Sequence, residues 1–158
     1  MANVGKELGI FTAGTSAHYN GCTVMYGADG MIWGKDVYFA FIKPERYTWQ
    51  FVKENGYFTV SYFPKERNDI HKIYGFKSGR DMNKEKAAGI TAEVLTDYDA
   101  ITYWEANDIY VCKIIYVDQM KRDKEPADVV AQYNDPTNII YGESHYMIIG
   151  EIVQRIRR

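Results

Sequence analysis

Cysteine is nearly missing from this sequence, since Cys22 and Cys112 are the only two among 158 residues. Ninety residues apart and in no C-x-x-C arrangement, they build neither a disulfide framework nor a zinc knuckle. Proline is also sparse, with four residues, and no Pro/Gly/Ser tract marks a linker, so one domain over residues 1–158 is expected. No apolar run approaches the ~18 residues of a membrane span; Val37 to Ile42 is among the longest. A membrane partner is therefore not expected. The opening residues, Met1 to Glu7, hold no basic segment leading into an apolar one, which predicts a chain without a signal peptide and a cytoplasmic location. Charge of one sign is lacking as well. Nineteen Lys and Arg against 21 Asp and Glu give a formal charge of −2, too little cationic excess to expect nucleic acid as a partner.

Aromatic residues are what the chain has in plenty: 15%, with 14 Tyr, 7 Phe and 3 Trp, enough to build a core and still wall a site for a flat ligand. Stretches rich in β-branched and aromatic residues predict strands over Leu8–Ala13, Cys22–Tyr26, Val37–Ile42, Tyr57–Phe63, Ile109–Val117 and Met147–Ile156. Within Tyr57–Phe63, Phe58, Val60 and Tyr62 share one face while Thr59 and Ser61 share the other, the pattern of a half-buried strand. Helices are predicted over Pro44–Glu54, Glu66–Tyr74, Asn83–Ala88 and Pro126–Tyr133, each placed by an early Pro, Asn or acidic residue or by a Gly at its end. The charged run Asp118–Pro126 reads as an exposed loop or hairpin tip. Strand and helix do not alternate as in a doubly wound sheet. The expected class is mainly β: a closed or partly closed antiparallel barrel with a few short peripheral helices.

His18, His71 and His145 are too scattered for a local metal pair, and there is no G-x-S-x-G elbow, G-x-G-x-x-G loop or P-loop. Two other clusters carry chemistry. Lys43-Pro44-Glu45-Arg46-Tyr47-Thr48 joins a strand end to a helix start, where free backbone N–H groups, an Arg fork and a Thr hydroxyl suit a phosphate. Gly75-Phe76-Lys77-Ser78-Gly79-Arg80-Asp81 packs two glycines, two cations and a hydroxyl into seven residues, the makings of a second anion cradle. Each alone is also an ordinary turn with solvated charges. Together, in a chain that is not basic overall, they point to one phosphorylated small ligand. A third segment, Tyr19 to Gly27, offers Asn20 and Thr23 for the polar edge of a ring and Tyr26 for its face.

In order along the chain, N-x-x-T (Asn20–Thr23), G-x-x-W-G-K (Gly30–Lys35), K-P-x-R-Y-T (Lys43–Thr48), Y-F-T-V-S-Y-F (Tyr57–Phe63), K-S-G-R-D (Lys77–Asp81) and Y-M-I-I-G-E-I (Tyr146–Ile152) resemble the flavoredoxin branch of the flavin reductase-like family. The resemblance spans nearly the whole chain. It implies a Greek-key-like split β-barrel that binds FMN near a homodimer interface and passes electrons from NADH, NADPH or another donor to an acceptor. It also implies that Asn20, Cys22, Thr23 and Tyr26 lie beside the ring and that Arg46, Tyr47, Thr48, Lys77 and Ser78 approach the phosphate, with His145 near the ring edge. No catalytic side chain is required, because the flavin supplies the electron chemistry. Lys77 or backbone amides would favour the reduced ring, where negative charge develops. An FMN electron carrier served by a protein partner, or a non-catalytic split-barrel module, are the alternatives. The sequence departs from the family where Cys22 replaces Met, Tyr26 replaces Trp, Lys43 replaces Arg and Asp36 replaces Pro, and the stretch between Val117 and His145 is short. Cys22 is read as a small buried thiol, with a redox role beside the ring as the alternative.

Overall fold

The computed structural model describes residues 1–158. Its nine strands are β1 (Gly9–Gly14), β2 (Tyr19–Val24), β3 (Gly27–Ile32), β4 (Lys35–Ile42), β5 (Tyr57–Tyr62), β6 (Ala92–Leu95), β7 (Ala100–Tyr103), β8 (Asp108–Gln119) and β9 (Tyr146–Arg157). Seven form one sheet in the order β2-β1-β5-β8-β9-β4-β3, every pairing antiparallel. Period-2 patterning explains how the sheet curls. Phe11, Cys22, Tyr38, Ala40, Phe58, Val60, Tyr110, Cys112 and Ile148 all point inward and make one buried cluster drawn from six of those strands. Full burial of a ring such as Phe58 is worth about 1.5–3 kcal/mol, so closing the sheet on itself is strongly favoured. Backbones come close inside: a Cβ on Gly150 of β9 would sit 2.6 Å from Cys112 Cβ. The β3–β4 hairpin turns on Trp33 and Gly34, both at positive φ (55° and 71°), the geometry of a two-residue primed turn.

The expectation of a half-buried β5 is corrected. Thr59 and Ser61 are as buried as Phe58 and Val60, because the separate β6–β7 hairpin covers their face. Thr59 Oγ1 donates to the Ile101 carbonyl at 2.6 Å, Ser61 Oγ lies 2.8 Å from Thr102 Oγ1, and Thr12 Oγ1 lies 3.2 Å from the Tyr103 hydroxyl. Polar residues stood on that face because the covering layer is held by hydrogen bonds as well as by packing. Strands β3, β6 and β7 lie outside the predicted set. The exposed Gly-Ala-Asp-Gly run of β3 and the short β6 carry no strong alternation.

The helices are shorter than their sequence patterns. The one expected from Pro44 is a 3-10 helix over Tyr47–Glu54, with Arg46 still extended at φ −66° and ψ 134°. The Glu66–Tyr74 expectation divides into a 3-10 turn at Lys65–Arg67 and α1 (Ile70–Phe76). The next helix, α2 (Lys84–Ala88), is capped by Asn83, whose Oδ1 accepts the Lys86 N–H at 2.9 Å, and it ends at Gly89 with φ 66°. The last, α3, covers Ala127–Tyr133. No helix is long and apolar enough to cross a membrane.

Candidate functional site

Strand β2 is an edge of the sheet, and the segments that pack against it bring the two sequence clusters to one place. The Arg46 guanidinium donates to the Tyr74 and Gly75 carbonyls, both at 3.1 Å, satisfying the C-terminal end of α1 with a cation. That contact ties the 43–48 segment to the 75–80 segment. Asn20 Nδ2 on β2 donates to Thr48 Oγ1 at 2.8 Å, which locks the start of the 3-10 helix onto the strand. Arg80 lies over the Tyr47 ring, 4.5 Å from its centroid. Gly79 lies against Asn20 Oδ1 so closely that a Cβ there would collide with it. These contacts enclose a pocket of about 90 Å³ walled by Asn20, Cys22, Arg46, Tyr47, Thr48, Lys77 and Ser78, seven of the nine residues expected at a ligand site.

Donors dominate the pocket. The Tyr47 and Thr48 N–H groups have no acceptor in the protein, and Ser78 Oγ already accepts from Arg80 N–H at 3.1 Å, leaving its hydroxyl proton to point elsewhere. Arg46, Lys77, Arg80 and Lys84 supply four cationic side chains against the single carboxylate of Glu45. Glu45 turns one oxygen to the Glu143 N–H at 2.7 Å, while its other oxygen is buried without a partner. A tetrahedral dianion suits such a lining; an apolar ligand does not.

Beyond Cys22 and Arg46 the pocket continues into a groove of about 270 Å³, lined by Thr23, Tyr26, Phe41 and His145 among others. The remaining two expected residues therefore lie beside the groove and not at the anion pocket. The Thr23 hydroxyl is held 2.9 Å from His71 Nδ1 on α1, and the Tyr26 ring, half exposed, meets His145 and Tyr133 edge to face at 5.6 and 6.4 Å. Past Tyr26, Phe41 and His145 the groove widens into a largely apolar cavity of about 460 Å³ under Met120, Pro126, Val129 and Tyr133. Burial, together with the nearby Lys43 charge, pulls the His145 pKa down to about 4, so its imidazole is neutral near pH 7.

Lys43, which opens the first donor cluster in the sequence, does not line the anion pocket. Its Nζ is turned away to the carbonyls of Tyr133 (2.5 Å), Tyr141 (2.6 Å) and Glu143 (3.0 Å) and to Asn134 Oδ1 (3.0 Å). Arg122 adds bonds to the Asn134 and Gly142 carbonyls. The pair pins the 133–143 segment, and with it Tyr141, at the mouth of the anion pocket. Lys43 and Arg46 both line the groove, but the Lys43 ammonium bonds the 133–143 segment while the Arg46 guanidinium bonds the end of α1.

Six lining residues lay outside the expected nine: Glu45, Gly75, Phe76, Arg80, Lys84 and Tyr141. Arg80 stood within the recognised cluster. Lys84 gave no signal, because Asn-Lys-Glu-Lys reads as a capped and solvated helix start, yet this side chain is buried.

The chain matches no family profile, and no curated protein is similar to it in sequence. Solved structures are similar in fold. A flavoredoxin from Methanosarcina acetivorans superposes with a TM-score of 0.73 at 13% identity, covering 96% of this chain and 68% of its own. An FMN-binding protein from Thermus thermophilus, solved with p-hydroxybenzaldehyde bound, gives 0.72 at 15% identity over 96% and 71%. An NADH:FAD oxidoreductase from Streptomyces globisporus gives 0.72 at 10% identity over 97% and 76%. The fold is thus the split barrel of flavin reductase-like proteins, as the order of the sequence motifs implied.

Proposed function

We propose that the protein binds FMN and acts as a flavin-dependent oxidoreductase of flavin reductase or flavoredoxin type, taking electrons from a reduced nicotinamide or another donor. The observation that carries this reading is the meeting of two sequence-distant donor clusters at one anion pocket that opens into an aromatic-walled groove. The donor set fits the group: unpaired backbone N–H groups and four cations for a phosphate, then Tyr26, Phe41 and Cys22 for a planar ring system. The Streptomyces protein of the same fold is an NADH:FAD oxidoreductase, which supports a redox role for this scaffold.

Bound flavin supplies the electron-transfer chemistry, accepting electrons from one partner and delivering them to another. The chain's own groups bind and orient. Arg46, Thr48, Lys77 and Ser78 hold the phosphate, and Asn20 fixes Thr48. Cys22, Thr23 and Tyr26 line the ring's side of the groove. The uncharged His145, with one ring N–H donor and one acceptor nitrogen, keeps a polar but neutral edge between groove and outer cavity, where a second reactant enters. A homodimer belongs to this proposal. Phe76 (86% exposed) and Tyr141 (47% exposed) both line the pocket, and a second copy would bury them.

Addition of FMN to the purified protein, followed by gel filtration and absorbance, is expected to give a yellow dimer that releases FMN on denaturation. Anaerobic bleaching by NADH or NADPH then supports the reductase reading. Retained flavin that neither nicotinamide bleaches assigns electron delivery to a protein partner, and a protein that stays colourless refutes flavin binding altogether.

A further inference from the structure

Resting on the flavin reading, we infer that Lys84 is the buried counter-charge of the ligand's phosphate, so that binding of the phosphorylated ligand carries a proton onto this lysine. Lys84 is 4% exposed and forms part of the anion pocket's wall. Its Nζ donates once, to the Gly21 carbonyl of β2 at 2.7 Å, and stands 5.2 Å from the centre of the Tyr74 ring. It makes no ion pair. An ammonium has three N–H donors, and a buried one with a single neutral acceptor and no carboxylate is in an environment that disfavours its charge. A phosphate dianion in the pocket removes that penalty. The lysine is therefore a residue whose charge is completed by the ligand and not by the protein.

The groups around it set the direction of the effect. Burial is the largest influence and lowers the Lys84 pKa to about 8; Cys22 of β2 and Glu85 of α2 oppose the shift, while Arg46 from the turn before the 3-10 helix adds to it. Tyr74 of α1 presents an uncharged ring, the Glu85 carboxylate faces Tyr19, and Glu45, Lys77 and Arg80 share the pocket lining. Above pH 8 the free protein therefore holds a neutral amine there. Phosphate binding must then draw a proton from solvent onto Nζ, because the ion pair raises the lysine pKa in the complex.

The test follows FMN binding to the wild-type protein by fluorescence quenching between about pH 7 and 9.5, with riboflavin, which has no phosphate, as the control. The dissociation constant for FMN is expected to be level to about pH 8 and then to rise about tenfold per pH unit, relative to that of riboflavin. Calorimetry at pH 8.5 in two buffers of different ionisation enthalpy should register about half a proton or more taken up per FMN. Lys84→Arg keeps its charge throughout, so it should bind FMN without the slope; Lys84→Met should bind it weakly and without the slope. Wild-type protein that binds FMN with a level profile and no proton uptake overturns the role of Lys84 and leaves flavin binding intact. Protein that takes up no FMN at any pH overturns both. Because the profile is measured on the unaltered chain, a variant that fails to fold does not shield the inference.

Discussion

Gly79 is the residue on which the meeting of the two clusters turns. A methyl there collides with Asn20 Oδ1, whose amide nitrogen is already committed to Thr48, so the 77–80 loop must back away. Overpacking of this sort costs about 1–3 kcal/mol, so Gly79→Ala should lower the thermal midpoint by at least about 2 °C and weaken FMN affinity about tenfold, measured by fluorescence titration. Lys77→Ala should matter less. Lys77 is exposed, its charge is screened, and a loss of a few-fold in affinity is expected at about 0.1 M salt, shrinking as salt is added. The sequence made Asn20, Arg46 and Thr48 legible because polar groups stand at the ends of apolar elements. It hid Lys84 because burial of a lysine is decided by tertiary neighbours, here Gly21 and Tyr74, that no local pattern announces.

Strand β5 shows how an element can be read correctly and its surroundings missed. Its alternation was plain, but the cover over Thr59 and Ser61 comes from β6 and β7, more than thirty residues later and only four residues long each. Both Ser61 and Thr102 are fully buried, so Ser61→Val should leave the Thr102 hydroxyl without its partner at a cost of about 1–3 kcal/mol, read from the urea midpoint. Replacing both hydroxyls with Val should recover part of that loss, since the orphaned group is then gone. The helix between Lys43 and Asn55 was visible from its apolar spacing, yet its type and start were not. The Arg46 side chain, bonded to the end of α1, holds the backbone extended where Pro44 alone would allow a helical turn.

Taken whole, the molecule has two histidines kept neutral by burial, His71 against Thr23 and His145 between the groove and the outer cavity. A group whose folded pKa lies below its unfolded one contributes stability that is complete above the unfolded value and is lost as pH falls through the folded value. For His145 that window runs from 6.5 down to about 4. The thermal midpoint should therefore fall across that range, and His145→Gln should flatten part of the fall. Barrel class and the order of motifs were legible from composition and spacing, whereas the depth at which these histidines lie depends on how the barrel's outer segments close. One of those segments, pinned by Lys43 and Arg122, places Tyr141 opposite residues that begin with Asn20, so the anion pocket gathers chain from near both ends of the fold. An occupant of that pocket is a removable rivet: it cannot stay bound unless β2, the 3-10 helix, α1, α2 and the 133–143 segment are all in place. FMN at about a hundred times its dissociation constant should add about 2.7 kcal/mol to global stability, and hydrogen exchange should slow in all five segments together.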